Sequence, residues 1–224
     1  MIRAVIFDLD HTLFDRHATL RALVPFLRER FSVNDAMTDS AVGDLWIYAD
    51  DRFVYSGWKY IFAYLVENGV FTEPPEYADY RTFIFESFAR IAVPFPDTLP
   101  MLTELKEKGY KIALITNGQH ALQYKKLELT GLRYVFDEII ISGDVGVEKP
   151  DPEIFLMMLD KLALAPQEAV YVGDNPINDI LGAHRAGMKT LWIKSTGVWN
   201  PKAPSPGATA NAVADIPAAI DRIS

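Results

Sequence analysis

The sequence predicts an α/β fold, a doubly wound parallel sheet with an inserted helical subdomain, and three observations carry that reading. Short apolar runs rich in β-branched residues recur along the chain, each ending in polar residues or glycine, as buried parallel strands do. Segments of helical length separate them, several closing at a glycine. After the first run, about eighty residues keep helical periodicity without any strand pattern, too long for a crossover connection.

Taken in order, residues 2–7 (IRAVIF) form the first expected strand. Residues 15–93 are expected to be the helical insertion. Between positions 46 and 88 they hold fourteen of the chain's twenty-seven aromatic residues, enough for a small core of their own. Pro94 and Pro96 mark the return, so the main domain is expected over 1–14 and 94–224. A helix over 98–108 closing at Gly109 leads to a strand at 110–115; a helix over 121–129 closing at Gly131 leads to a strand at 138–141. Helices over 152–164 and 176–186 precede strands at 169–172 and 189–193. Residues 200–208, with three prolines and a glycine, read as a surface segment before a short helix near 216–223. In such a β then repeated αβ pattern, ligands sit beyond the carboxyl ends of the strands, where the strand order reverses.

The chain has 224 residues, 50% apolar and 23% charged, which suits one or two compact domains with a real core. Twenty-two Lys plus Arg against thirty Asp plus Glu give a net charge of −8, which disfavours a nucleic-acid polymer as partner. An anionic small ligand would therefore need local positive charge, from a metal ion or a few placed lysines and arginines. Without cysteine there is no disulfide framework, no Cys-ligated zinc and no thiol nucleophile. The apolar run at 4–7 breaks at Asp8 and Asp10, too short for an export signal or a membrane span, so the expected setting is cytoplasmic with no membrane partner.

Chemistry-bearing residues fall at the strand ends. Asp8, Asp10 and Thr12 stand as Asp-x-Asp-x-Thr directly after the first strand. Two carboxylates about 5 Å apart in a partly desolvated site repel by roughly 3 kcal/mol, which a cation or a shared proton relieves. The second strand ends in Thr116, Asn117 and Gly118, a hydroxyl and backbone N–H groups expected to receive an oxyanion, although this tripeptide is also an ordinary turn. Lys149 and Pro150 precede the helix that begins at Pro152, so the ammonium is expected to reach back over the strand ends. The fourth strand empties into Gly173 and Asp174, with Asp179 five residues on, a pattern suited to a hard cation such as Mg²⁺. Asn178 reads as a cap of the following helix. Four acids and a phosphomonoester dianion are tolerable together only with a divalent cation and Lys149 both present. His11, His17, His120 and His184 show no zinc spacing.

As a set, Asp8-Leu-Asp10-His-Thr12, Thr116-Asn-Gly, Lys149-Pro and Gly173-Asp174 through Asp179 resemble the four signature motifs of the haloacid dehalogenase superfamily, spanning nearly the whole chain. The resemblance implies a Rossmann-like core with a helical cap, as in the subgroup of phosphoglycolate phosphatases and 5′-nucleotidases, hinged near 14–16 and 93–96. It implies Asp8 as nucleophile and Asp10 as general acid, then base. Thr116 and Lys149 would hold the phosphoryl oxygens, with Asn117 beside them. Mg²⁺ would be bound by the carboxylates of Asp8 and Asp174 and the main-chain carbonyl of Asp10, supported by Asp179, while Thr12 serves the turn. Dehalogenating members lack a carboxylate at the second acid, so Asp10 points to phosphoryl transfer. The expected function is a Mg²⁺-dependent phosphatase acting on a small phosphorylated metabolite. A phosphomutase and a phospho-aspartate signalling module are the alternatives; a Walker-type nucleotide hydrolase is disfavoured, since no Gly-x-x-x-x-Gly-Lys-Ser/Thr run occurs.

Overall fold

Four consecutive apolar residues with no polar face do not suit the edge of a sheet, and β1 (Ala4–Phe7), buried along its whole length, lies in the middle of one. The structure, a computed structural model, describes residues 1–54, 56–195 and 198–223. It divides the chain into two compact units, Met1–Asp15 with the chain from Pro94 onward, and Arg16–Val93.

In the first unit β1 pairs with β2 (Lys111–Thr116) on one side and β4 (Ala169–Gly173) on the other, Phe7 standing opposite both Leu114 and Val172. The sheet continues through β3 (Glu138–Ile141), β5 (Lys189–Ile193) and β6 (Ala208–Ala210) in the order β3-β2-β1-β4-β5-β6, every pair parallel. This is the doubly wound sheet expected from the sequence, and the order reverses between β1 and β4. The residue pattern over 200–208 reads as a surface segment, yet Ala208 pairs with Leu191 and β6 forms there. A three-residue edge strand of Ala-Thr-Ala carries neither apolar alternation nor length, so it leaves no pattern to read.

Side chains alternate across the sheet. Ala4, Ile6, Ala113, Ile115, Ala169 and Tyr171 share one core with Ile154, Phe155, Met158, Leu159 and Leu162 of a helix over Pro152–Leu162. The remaining helices of this unit are Thr98–Glu107, His120–Leu129, Ser142–Val145, Gly182–Arg185 and Ile216–Asp221. The helix expected at 176–186 opens differently: Pro176–Leu181 is a π-helix, and the α-helical turn starts only at Gly182. Such wide turns gather at functional sites.

Counting from the amino end, the helices are α1 (Arg16–Arg30), α2 (Asp39–Phe53), α3 (Trp58–Glu67) and α4 (Tyr77–Ser87) in the second unit, then α5 (Thr98–Glu107), α6 (His120–Leu129), α7 (Ser142–Val145), α8 (Pro152–Leu162), α9 (Gly182–Arg185) and α10 (Ile216–Asp221). The second unit buries Leu20, Leu23, Val24 and Leu27 of α1 at helical spacing, with Trp46, Leu65 and Tyr80. Phe62 and Tyr80 lie 4.8 Å apart between ring centres, Phe31 and Phe83 5.5 Å. Of the fourteen aromatics, Tyr55 lies outside the described residues. Asp50 takes both arms of the Arg16 guanidinium at 2.6 and 2.7 Å, and that cation lies over the rings of Phe88 and Trp58. Among the described residues no helix is long and apolar enough to cross a membrane.

Candidate active site

Past the end of β1, the Asp8 N–H still donates to the Val172 carbonyl at 2.9 Å, so the ladder holds Asp8 beside the end of β4. The chain then folds back on itself. The Leu9 carbonyl accepts from Leu13 and Phe14 at 2.9 and 3.0 Å, and His11 takes a left-handed φ of 62° that permits the reversal.

Lys149 arrives from the segment leading into α8. Because α8 covers the sheet face lined by Ile6, Ile115 and Tyr171, that segment passes the strand ends. Asn117 clasps it there: its Oδ1 accepts from the Lys149 N–H and its Nδ2 donates to the Lys149 carbonyl, each at 2.9 Å. The ammonium donates to Asp8 Oδ1 at 2.6 Å, Asp179 Oδ1 at 2.7 Å and the Tyr171 hydroxyl at 2.9 Å, matching its three protons. Asp179 is brought back by the π turn, and its Oδ2 accepts from the Asn175 N–H at 2.9 Å. Only glycine fits opposite: a Cβ on residue 173 would stand 2.4 Å from the Asp179 Cγ. The main-chain carbonyl of Asp174 accepts from the Trp192 indole at 2.7 Å, and its Oδ1 accepts from Thr12 at 3.4 Å. One carboxylate oxygen from each of Asp8, Asp174 and Asp179 lies within 4.8 Å of the others.

The electrostatics of this group are strained in one direction. Burial pushes the Asp8 carboxyl up to about 7 against the pull of Lys149, and the charges of Asp179 and Asp10 push the same way. Burial, then the charges of Asp179 and Asp8, raise Asp174 well above the carboxylate range. Burial works against the Lys149 ammonium, yet Asp179 and Asp8 hold its pKa well above the usual value. Acids driven toward neutrality by burial and by each other fit a hard cation bound through oxygen, which would restore their charged forms. Asp179 gives its two oxygens to Lys149 and Asn175, whereas Asp8 engages Lys149 through Oδ1 and Asp174 engages Thr12 through Oδ1.

Two buried polar residues were missed by the sequence reading. Lys126 of α6 holds both oxygens of Asp10, at 2.8 and 2.9 Å, and Gln123 reaches Asp10 Oδ2 at 3.1 Å and the Thr116 hydroxyl at 2.7 Å. Their signal was present: they share the inward stripe of α6 with Leu122 and Leu127, where a lysine needs a partner. Lys126 also supplies a second positive charge, so the local excess of negative charge is smaller than Lys149 and a divalent ion alone would leave.

The Asp10 carboxylate, held by Lys126, is not one of the three gathered acids. Other expectations change in detail. The Asn117 side chain is spent on the Lys149 backbone rather than turned to a ligand. The Gly118 N–H, expected free, donates to Ser142 Oγ at 3.0 Å, a partner from the neighbouring strand end that no local pattern reveals. The cap of the π segment is Asn175, whose Oδ1 accepts from the Ile177 and Asn178 N–H groups, rather than Asn178. Thr12 does more than serve a turn, since its buried hydroxyl meets Asp174.

Residues 5–193 match the family model described as haloacid dehalogenase-like hydrolase. The chain is 32% identical over 207 residues to a glyceraldehyde 3-phosphate phosphatase of Methanopyrus kandleri, covering 87% of this chain and 84% of that protein. It is 30% identical over 222 residues to the pyrimidine 5′-nucleotidase YjjG of Escherichia coli, covering 95% of each. Among solved structures, a HAD phosphatase from Thermococcus onnurineus superposes with a TM-score of 0.67 at 25% identity, covering 98% of both chains.

Proposed function

We propose that this chain, which belongs to the haloacid dehalogenase-like hydrolase family, is a Mg²⁺-dependent phosphatase that hydrolyses a small phosphomonoester through an ester on Asp8. The observation that carries the reading is the meeting of Asp8, Asp174 and Asp179 within reach of one ion, with Lys149 bonded to two of them. Relatives that act on a triose phosphate and a nucleotide support the substrate class.

An Asp8 oxygen attacks phosphorus as the bond to the ester oxygen breaks, and Asp10 gives its proton to the departing alkoxide. Asp10 then takes a proton from water, whose oxygen attacks the phosphoryl group and frees Asp8 with release of phosphate. Lys149 and the Thr116 hydroxyl hold phosphoryl oxygens while charge builds on them. When bound by Asp8, Asp174 and the Asp10 carbonyl, Mg²⁺ would supply Lewis-acid polarisation of the phosphoryl group and offset the acids. We read the unit Arg16–Val93 as the family's cap, the part that selects the leaving group.

The test is phosphate release from a panel of nucleotides, sugar phosphates, glyceraldehyde 3-phosphate and phosphoglycolate. Turnover should need Mg²⁺, stop with EDTA and vanish in Asp8→Asn with the fold intact by circular dichroism. Near-normal turnover by Asp8→Asn, or full activity without metal, overturns the reading. Phosphate moved to a sugar hydroxyl instead of water would mark a mutase.

A further inference from the structure

We propose that Lys126 is a positioning residue for Asp10, holding that carboxylate in the orientation from which it exchanges protons with the leaving group and with water. The inference rests on the reading of Asp10 as the proton carrier of the phosphatase.

Three features of α6 lead to it. An ammonium is costly to bury unless paired, yet the Lys126 side chain is 1% exposed on the inward stripe of the helix. Asp10, by contrast, keeps 22% of its side chain accessible, as a group that must meet a ligand would. The lysine also contacts both carboxylate oxygens rather than one, at 2.8 and 2.9 Å, and Gln123 one turn earlier braces Oδ2 at 3.1 Å. Three contacts on two oxygens restrict rotation about the Cβ–Cγ bond, so the plane of the carboxylate is set before a ligand arrives. The same Gln123 amide bonds Thr116 Oγ1 and the Asn117 carbonyl, tying the end of β2 to the acid after β1. The Lys149 ammonium donates instead to Asp8, Asp179 and Tyr171.

A lysine that merely neutralised a buried acid would help the fold alone, whereas one that acts through Asp10 loses its catalytic effect once Asp10 is gone. Kinetics of wild type, Lys126→Met, Asp10→Asn and the double variant, with Mg²⁺ and an alkyl phosphate whose leaving group must take up a proton, separate these cases. Lys126→Met should lower kcat by about 10- to 100-fold, part of what a positioned general acid–base contributes, with KM within about threefold. In the Asp10→Asn background the same change should cost less than about twofold. An equal fold-loss in both backgrounds, or no loss in the first, overturns the proposal. Should Lys126→Met fail to fold by circular dichroism, Lys126→Gln, which keeps a donor on a long side chain, carries the same cycle. Asp8→Asn runs alongside: if it stays active the phosphatase reading itself has failed, and if it is inert while Lys126→Met equals wild type, only the present inference has.

Discussion

Lys149→Met keeps the length of the side chain and deletes a charge shared by Asp8, Asp179 and Tyr171. Asp8 is 8% exposed and Asp179 1%, so neither carboxylate regains water by a small movement. Breaking a buried ion pair by removing one partner costs about 3–5 kcal/mol. Here one lysine serves two carboxylates, and protonation of Asp8 limits the loss. The pH dependence follows from that limit. With the ammonium present, the Asp8 carboxyl already titrates at about 7 instead of near 3.8; without it, Asp8 loses the attraction that held it down and rises further. A folded state that binds protons the unfolded chain has released loses stability as pH rises between the two values. Lys149 stays charged across this range, since its own pKa is held above the usual value. The variant's deficit should therefore reach about 3–5 kcal/mol at pH 8 and shrink toward pH 5. Urea unfolding in EDTA at pH 5, 6, 7 and 8, followed by circular dichroism, measures it. A deficit below about 1 kcal/mol at pH 8, or one equal at pH 5 and 8, would refute the electrostatic account.

Gly173→Ala places a methyl 2.4 Å from the Asp179 Cγ, so overpacking should cost about 1–3 kcal/mol in urea melts and displace the acid that Lys149 grips; wild-type turnover by this variant would show that Asp179 need not stand where it does. Mg²⁺ needs ionised carboxylates, and Asp8 titrates at about 7, so the rise in Tm on adding Mg²⁺ should be larger at pH 8 than at pH 5.5; differential scanning fluorimetry giving equal rises would argue against Asp8 as a ligand. In the second unit, Asp50→Ala leaves the Arg16 guanidinium buried against Phe88 and Trp58 without its carboxylate and should cost about 3 kcal/mol in the same melts. A loss below about 1 kcal/mol would mean that the cation's other contacts satisfy it without Asp50.

Residue types and their spacing were enough to specify the five longer strands, the acids that follow β1 and β4, and a lysine ahead of α8. Burial imprints a local pattern: an all-apolar run of four to six residues is a central strand wherever it stands, and the polar residue that ends it emerges at the sheet's carboxyl edge. No such imprint marks a partner contributed from far along the chain. Asp10 meets Lys126 across 116 positions and Gly118 meets Ser142 across 24, pairings that exist because β1 lies between β2 and β4 and β3 lies beside β2. The same holds for β6, whose pairing with β5 requires a neighbour and not a pattern, and for the π turn, whose widening serves the approach of Asp179 to Lys149. Which carboxylates gather and which are gripped by a lysine is thus a property of strand order and packing, because electrostatic partners are chosen by distance in space and the chain's local chemistry carries no measure of it.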